Sequence, residues 1–84
     1  MYNEDKFDAI IREIEKELDS ATDKFGPFNN AHEGYAVILG EMDELWDTVK
    51  LNQHDPTRNR LMKKEAIQTA AMVIRLLHDC CKVS

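Results

Sequence analysis

The sequence predicts an all-α fold of three helices in a single domain, residues 1–84, with a core completed by a second subunit. Three observations predict it. Apolar residues recur at spacings of three and four, the period of one helix face, and not at the alternation of a half-buried strand. Only three Gly and two Pro punctuate the chain, and both Pro stand where a helical pattern stops. The last third of the chain carries more apolar surface than one neighbouring helix covers, and a domain this short buries only about 60–65% of the surface its unfolded form exposes.

The first helix is expected over about residues 4–24. Phe7, Ile10, Ile11, Ile14, Leu18, Ala21 and Phe25 form its stripe, while Arg12, Glu13, Glu15, Lys16, Glu17 and Asp19 form a solvated face. Gly26 suits a C-terminal cap, and Pro27 cannot continue the helix. The second helix is expected over about residues 30–53. Asn30 is a good N-cap, and Glu33, three residues on, completes a capping-box pattern. Its stripe is Tyr35, Ile38, Met42, Leu45 and Val49, with Leu39 and Trp46 beside it. His54-Asp55-Pro56-Thr57 reads as a polar turn.

The third helix is expected over about residues 57–82. Its main apolar face is Met62, Ala66, Ala70, Val73, Leu77 and Cys80, and a second carries Ile67, Ala71, Ile74 and Cys81. Met72 and Leu76 widen the stripe beyond the usual ~100°. Small residues at Ala66, Ala70 and Ala71 permit close helix approach. This helix is therefore expected in the middle of a bundle that another subunit completes.

Eleven Lys and Arg against sixteen Asp and Glu give a net charge of −5. A protein that grips a phosphate backbone shows the opposite bias, so nucleic acid is not an expected partner. A nucleotide held through metal ions is compatible with it. Hydrophobic residues at 43% and charged residues at 32% describe a globular chain, not a disordered one. Cys80 and Cys81 are adjacent and close no useful loop, which fits a reducing compartment. They read as packing: no second half at zinc spacing accompanies them. Met1 to Lys6 is polar and lacks an apolar signal core, so a cytoplasmic location is expected. No run approaches 18 apolar residues, and no membrane span is expected.

Chemistry is suggested by where certain acids fall. Glu41 lies about 80–100° from the centre of the second helix's stripe. Glu44 is one turn on, so the two side chains can converge on one point. Like charges at that spacing repel, and a bound cation removes the cost. Glu65 borders the broad apolar face of the third helix, with Gln68 one turn further. If the two helices pack antiparallel across the short turn, Glu65 and Gln68 face Glu41 and Glu44 at similar height. Three carboxylates and an amide oxygen form an all-oxygen set suited to Mg²⁺ or Mn²⁺, not zinc. The ordinary alternative is a solvated face, as at Glu13/Glu17 and Glu15/Asp19.

The residues resemble a known family. Glu41-Met42-Asp43-Glu44, then twenty residues, then Glu65-Ala66-Ile67-Gln68 is similar to the ExxE…ExxD signature of the MazG-like all-α nucleoside triphosphate pyrophosphohydrolases. The segments His32–Leu39, Asp43–Trp46 and Lys64–Met72 resemble the small MazG-like proteins of phages and mobile elements, over roughly residues 25–80. The resemblance implies the all-α NTP pyrophosphatase fold, with a four-helix-bundle core formed on dimerisation, as a homodimer or homotetramer. It implies Mg²⁺-dependent cleavage of a (d)NTP between the α and β phosphates, giving a monophosphate and pyrophosphate. It further implies Glu41, Glu44 and Glu65 as metal ligands and Glu41 and Glu44 as catalytic. One departure stands out: Gln68 occupies the place of the signature Asp, bringing an oxygen but no charge.

Glu33, Lys64 and Trp46 are further candidates for substrate contact. Glu33 has the capping box as its alternative role, and Trp46, like Tyr35 and Phe28, has the core. Lys63, Arg58 and Arg60 could reach phosphates, or simply solvate a helix N-terminal turn. The sequence thus predicts a Mg²⁺-dependent NTP pyrophosphohydrolase in nucleotide-pool sanitation or control. The alternative is a non-catalytic helical oligomerisation or regulatory module on the same fold.

Overall fold

A computed structural model describes residues 2–83, and among these it holds three helices and no strand. They are α1 (Glu4–Phe25), α2 (Ala31–Val49) and α3 (Arg58–Cys80). Side chains supply the starts of the first two. The Asn3 carboxamide oxygen accepts from Lys6 N–H at 2.9 Å, and that of Asn30 accepts from Glu33 N–H at 2.9 Å. The reciprocal half of the expected capping box is replaced: the Glu33 carboxylate accepts from Asn29 Nδ2 at 2.9 Å. Gly26, at φ 68°, ends α1 as a residue without a Cβ should, its N–H donating to Thr22 O.

Two boundaries differ from the sequence expectation. α2 stops at Val49 instead of reaching residue 53, because Arg58 takes the Val49 carbonyl with Nε (3.3 Å) and Nη2 (3.0 Å). The turn then begins at Asn52, whose side chain accepts from His54 N–H at 2.8 Å. Arg58 thereby closes the α2–α3 turn. α3 runs from 58 to 80, which leaves Cys81 exposed beyond the helix, whereas Cys80 packs partly against the core.

α3 is the central helix. It packs against α1 on one side and α2 on the other, while α1 and α2 have no close backbone approach to each other among the described residues. The core comprises Ile14 and Ala21 from α1, Phe28 from the connector, Ile38 from α2, and Ala71 and Met72 from α3. Two α3 side chains pin the connector. Arg75, 5% exposed, donates to Gly26 O at 2.5 Å and lays its guanidinium 4.1 Å from the Phe28 ring centroid. Asp79 accepts from Phe28 N–H at 2.9 Å and also meets His78 Nδ1 at 2.8 Å.

The faces are turned relative to the predicted stripes. On α2 the residues toward α3 are Gly34, Ile38, Glu41, Leu45 and Thr48, whereas Tyr35 and Met42 are exposed. The inward line is thus rotated by about 60° from the apolar stripe. On α3 the expected main face is split: Ala66, Val73 and Leu77 are exposed, Met62, Ala70 and Cys80 are partly buried, and Ala71, Met72 and Arg75 are the buried residues. On α1, Phe7, Ile10 and Phe25 are exposed while Ile14 and Ala21 are buried.

Two glycines of α2 have opposite surroundings. A Cβ on Gly34 would lie 2.8 Å from Leu76 Cδ1 and 3.0 Å from Phe28 Cδ2, so this glycine lets the connector and α3 close on α2. A Cβ on Gly40 would meet nothing within 4 Å. Gly40→Ala is therefore expected to stabilise the fold by about 0.5–1 kcal/mol, through the lower chain entropy of alanine. Gly34→Val should destabilise it by about 1–3 kcal/mol through overpacking. Thermal melts of the two variants, shifted in opposite directions, would check both; a lowered melting temperature for Gly40→Ala would contradict the first.

Candidate metal centre

α2 and α3 run antiparallel, so pairs of residues meet in reverse order: Gly34 lies against Leu76, and Val49 against Arg58. Midway between these pairs the same register brings Glu41 and Glu44 to Glu65 and Gln68. One carboxylate oxygen from each of Glu41, Glu44 and Glu65 lies within 4.8 Å of the others. Glu41 and Glu65 are partly buried and Glu44 is exposed. The inward rotation of α2 is what points Glu41 at α3.

Gln68 joins them. The oxygen and nitrogen of an amide are told apart by their partners. With its nitrogen inward, Gln68 donates to Glu65 Oε2 at 3.1 Å and to Glu41 Oε2 at 3.3 Å. With its oxygen inward it adds a fourth acceptor to the group, an arrangement that a cation would hold together. The donor set is all oxygen, with three formal charges, and fits a hard divalent ion such as Mg²⁺ or Mn²⁺.

Crowding shows in the carboxyl groups. Burial, followed by the charges of Glu44, Glu65 and Glu17, holds Glu41 above the usual 4.5 of a glutamate. Burial also raises Glu65, helped by its hydrogen bond to and repulsion from Glu44 and opposed by the neighbouring Lys64. A carboxyl group raised on folding binds protons more tightly in the folded state. The stability it gives is full below the ordinary value of 4.5 and is lost as pH rises through the raised folded value. The metal-free protein is therefore expected to melt at a higher temperature as pH falls from neutrality toward 4.5, with Mg²⁺ raising stability at neutral pH and flattening that trend. Asp55 and Asp79, lowered by hydrogen bonds from Thr57 and from His78 respectively, act oppositely, withdrawing stability only as pH falls below 3.8. Melting curves against pH with Mg²⁺ and with chelator check this; identical curves would mean no cation binds.

Beside the group opens a cleft of about 540 Å³ between α1 and α2, floored by α3. Glu41 and Gln68 line one end, and Phe25, Phe28, Lys24 and Arg75 line it further along, with Val37 and Met72 supplying apolar wall. Glu33 lines this cleft, as its substrate-contact candidacy requires. Lys64 does not; it lines a separate groove on the α1 side of α3. Trp46 is placed apart from both, 59% exposed on the outward strip of α2 that also carries Tyr35, Leu39 and Met42. Arg75 was not singled out by sequence reasoning, and Glu17, expected on a solvated face, is instead partly buried and lines the cleft. Arg75 sits within an apolar run, and only the folded connector explains its burial.

No family model matches this sequence, and no curated protein or solved structure is significantly similar to it. Among the described residues no helix is long and apolar enough to cross a membrane.

Proposed function

We propose that the chain is a Mg²⁺-dependent nucleoside triphosphate pyrophosphohydrolase, of the MazG-like kind its motifs resemble, acting in nucleotide-pool sanitation or control. The observation that carries this reading is the convergence of Glu41, Glu44 and Glu65 from two helices at the end of a nucleotide-sized cleft. Such acids repel when bare, so their common direction makes physical sense with a cation among them. Bound there, Mg²⁺ or Mn²⁺ supplies charge neutralisation and a lowered pKa for the attacking water. The chain's part is positioning, the main demand of phosphoryl chemistry. Glu41 and Glu65 hold the group from facing helices, and Glu44 closes it on the solvent side. Phe28, Val37 and Met72 offer a nucleoside an apolar seat, with Glu33 and Lys24 at its polar margin. The water oxygen bonds to the α phosphorus and gives up a proton. The bond from the α phosphorus to the bridging oxygen breaks, and pyrophosphate leaves with that oxygen and the electron pair.

The active form we propose is a dimer, or a tetramer built from two dimers, with a four-helix core. α2 exposes Tyr35, Leu39, Met42 and Trp46, and α3 leaves Ala66, Val73 and Leu77 exposed with Ala70 half-buried. Both sets step by four, three and four, the spacing of a coiled-coil seam. Two antiparallel helices with such a face form a four-helix core with a second copy.

The test is pyrophosphate release from a panel of (d)NTPs, with Mg²⁺ and with chelator. Metal-dependent release with a monophosphate product is expected. One observation favours a second reading, a non-catalytic regulatory module: Gln68 satisfies two carboxylates by hydrogen bonds alone, without any cation. No release from any nucleotide would leave that reading in place of the first.

A further inference from the structure

Four of the chain's eleven Lys and Arg line one groove. Lys16 from α1 meets Arg60, Lys63 and Lys64 from α3 across a space of about 400 Å³, with Glu13, Glu17 and Ile67 as the remaining walls. Four cations face two carboxylates there, in a protein whose overall charge is −5. A single ion pair joins groups of this groove, Lys63 Nζ to Glu13 at 3.3 Å, with both side chains about half exposed. A pair so solvated contributes little to stability, and beyond it the charge of Lys64 acts on Glu65.

The groove adjoins the cleft at one shared residue. Glu17 lines both the groove and the cleft, and its charge acts on both Glu41 and Glu65. Along α3 the order is groove (Arg60 to Ile67), acidic group (Glu65, Gln68), cleft (Gln68 to Arg75). At 1.5 Å and 100° per residue, Lys64 lies about 2 Å along the axis and about 100° round α3 from Glu65, and Arg60 about 8 Å and about 140° round, so a polyphosphate joining them curves round α3 past Glu17.

We propose that this basic groove seats the terminal phosphates of a polyphosphate whose nucleoside end lies in the cleft. The substrate then lies along α3 with its direction fixed: nucleoside beside Phe28 and Arg75, scission over Glu41, Glu44 and Glu65, and the leaving pyrophosphate on Lys16, Arg60, Lys63 and Lys64. The proposal rests on the reading of the acidic group as the scission site. It assigns the choice between triphosphates and diphosphates to the groove, because a diphosphate leaves its outer cations without a partner.

The experiment compares the unsubstituted protein with Arg60→Gln/Lys63→Gln. A Lys50→Gln/Lys82→Gln variant is the control, making the same change in net charge away from both cavities. Inorganic tripolyphosphate is titrated calorimetrically in Mg²⁺, and kcat and KM are measured for a dNTP and the matching dNDP. In the groove variant, tripolyphosphate affinity should fall at least tenfold, as should the kcat/KM advantage of triphosphate over diphosphate. The change should appear mainly in KM, and the control should match the unsubstituted protein. Unchanged tripolyphosphate affinity and an unchanged triphosphate preference would overturn the proposal and leave the enzyme reading standing. Absence of hydrolysis by the unsubstituted protein would instead overturn the scission site. The tripolyphosphate titration would still decide whether the groove holds phosphates.

Discussion

Glu41→Gln is expected to abolish Mg²⁺-dependent pyrophosphate release while making the metal-free protein slightly more stable. The substitution keeps the shape of the side chain and removes one of three negative charges that crowd within 4.8 Å. Turnover should fall by at least about 100-fold, the usual cost of removing one preorganised electrostatic group from a phosphoryl or acyl transfer site. Stability without metal should rise by a few tenths of a kcal/mol, because Glu44, Glu65 and Glu17 no longer repel this position. The opposite signs are the diagnostic. A residue that merely holds the fold together would lose stability along with activity. Turnover that survives Glu41→Gln would sink the metal-site reading outright.

The second large effect concerns assembly. Leu39→Glu is expected to split the protein into 9.7 kDa subunits. Leu39 is 44% exposed in the single chain, between Tyr35 and Met42 on the outward strip of α2. On an isolated subunit a surface substitution of this kind changes stability by no more than about 0.5 kcal/mol. In a four-helix core it buries an unpaired charge, which costs several kcal/mol and raises the dissociation constant by roughly a hundredfold or more. Analytical ultracentrifugation and melting at several protein concentrations separate these cases, since an assembled core melts in a concentration-dependent way. An unsubstituted protein that sediments as a monomer at micromolar concentration would remove the four-helix core from the reading.

Much of the architecture was legible because its signals are local. Helix period, the Asn30 cap, Gly26 and the two prolines are written within a few residues of the elements they set. The meeting of Glu41, Glu44, Glu65 and Gln68 followed from counting residues on either side of one short turn. What was illegible depends on which neighbour a face meets. Tyr35 and Met42 look like core by hydropathy, yet the line that meets α3 runs through Gly34, Glu41 and Thr48, chosen for size and charge. The apolar stripe of α2 averages two directions, one toward α3 and one outward, and the average points at neither. Arg75 was hidden for a similar reason. Its burial depends on Phe28 and Gly26, 47 and 49 residues earlier in the chain, and no periodicity reports that distance. The cleft is a relation among all three helices and the basic groove one between α1 and α3, which no pattern within a single helix records.

The absence of close approach between α1 and α2 has a consequence for substrate fit. The cleft's two walls make no close backbone approach among the described residues, so its width is largely an indirect property, transmitted through α3 and through the short connector that carries Phe28. Arg75 and Asp79 fasten that connector, one to the Gly26 carbonyl and the other to the Phe28 amide. These two side chains act as the gauge of the opening. On the proposed function, a change at either is expected to alter which nucleotides fit the cleft while leaving Glu41, Glu44 and Glu65 in place. On that reading, selectivity and chemistry are mechanically separable, the one set by the connector's two fastenings and the other by the acids on α2 and α3.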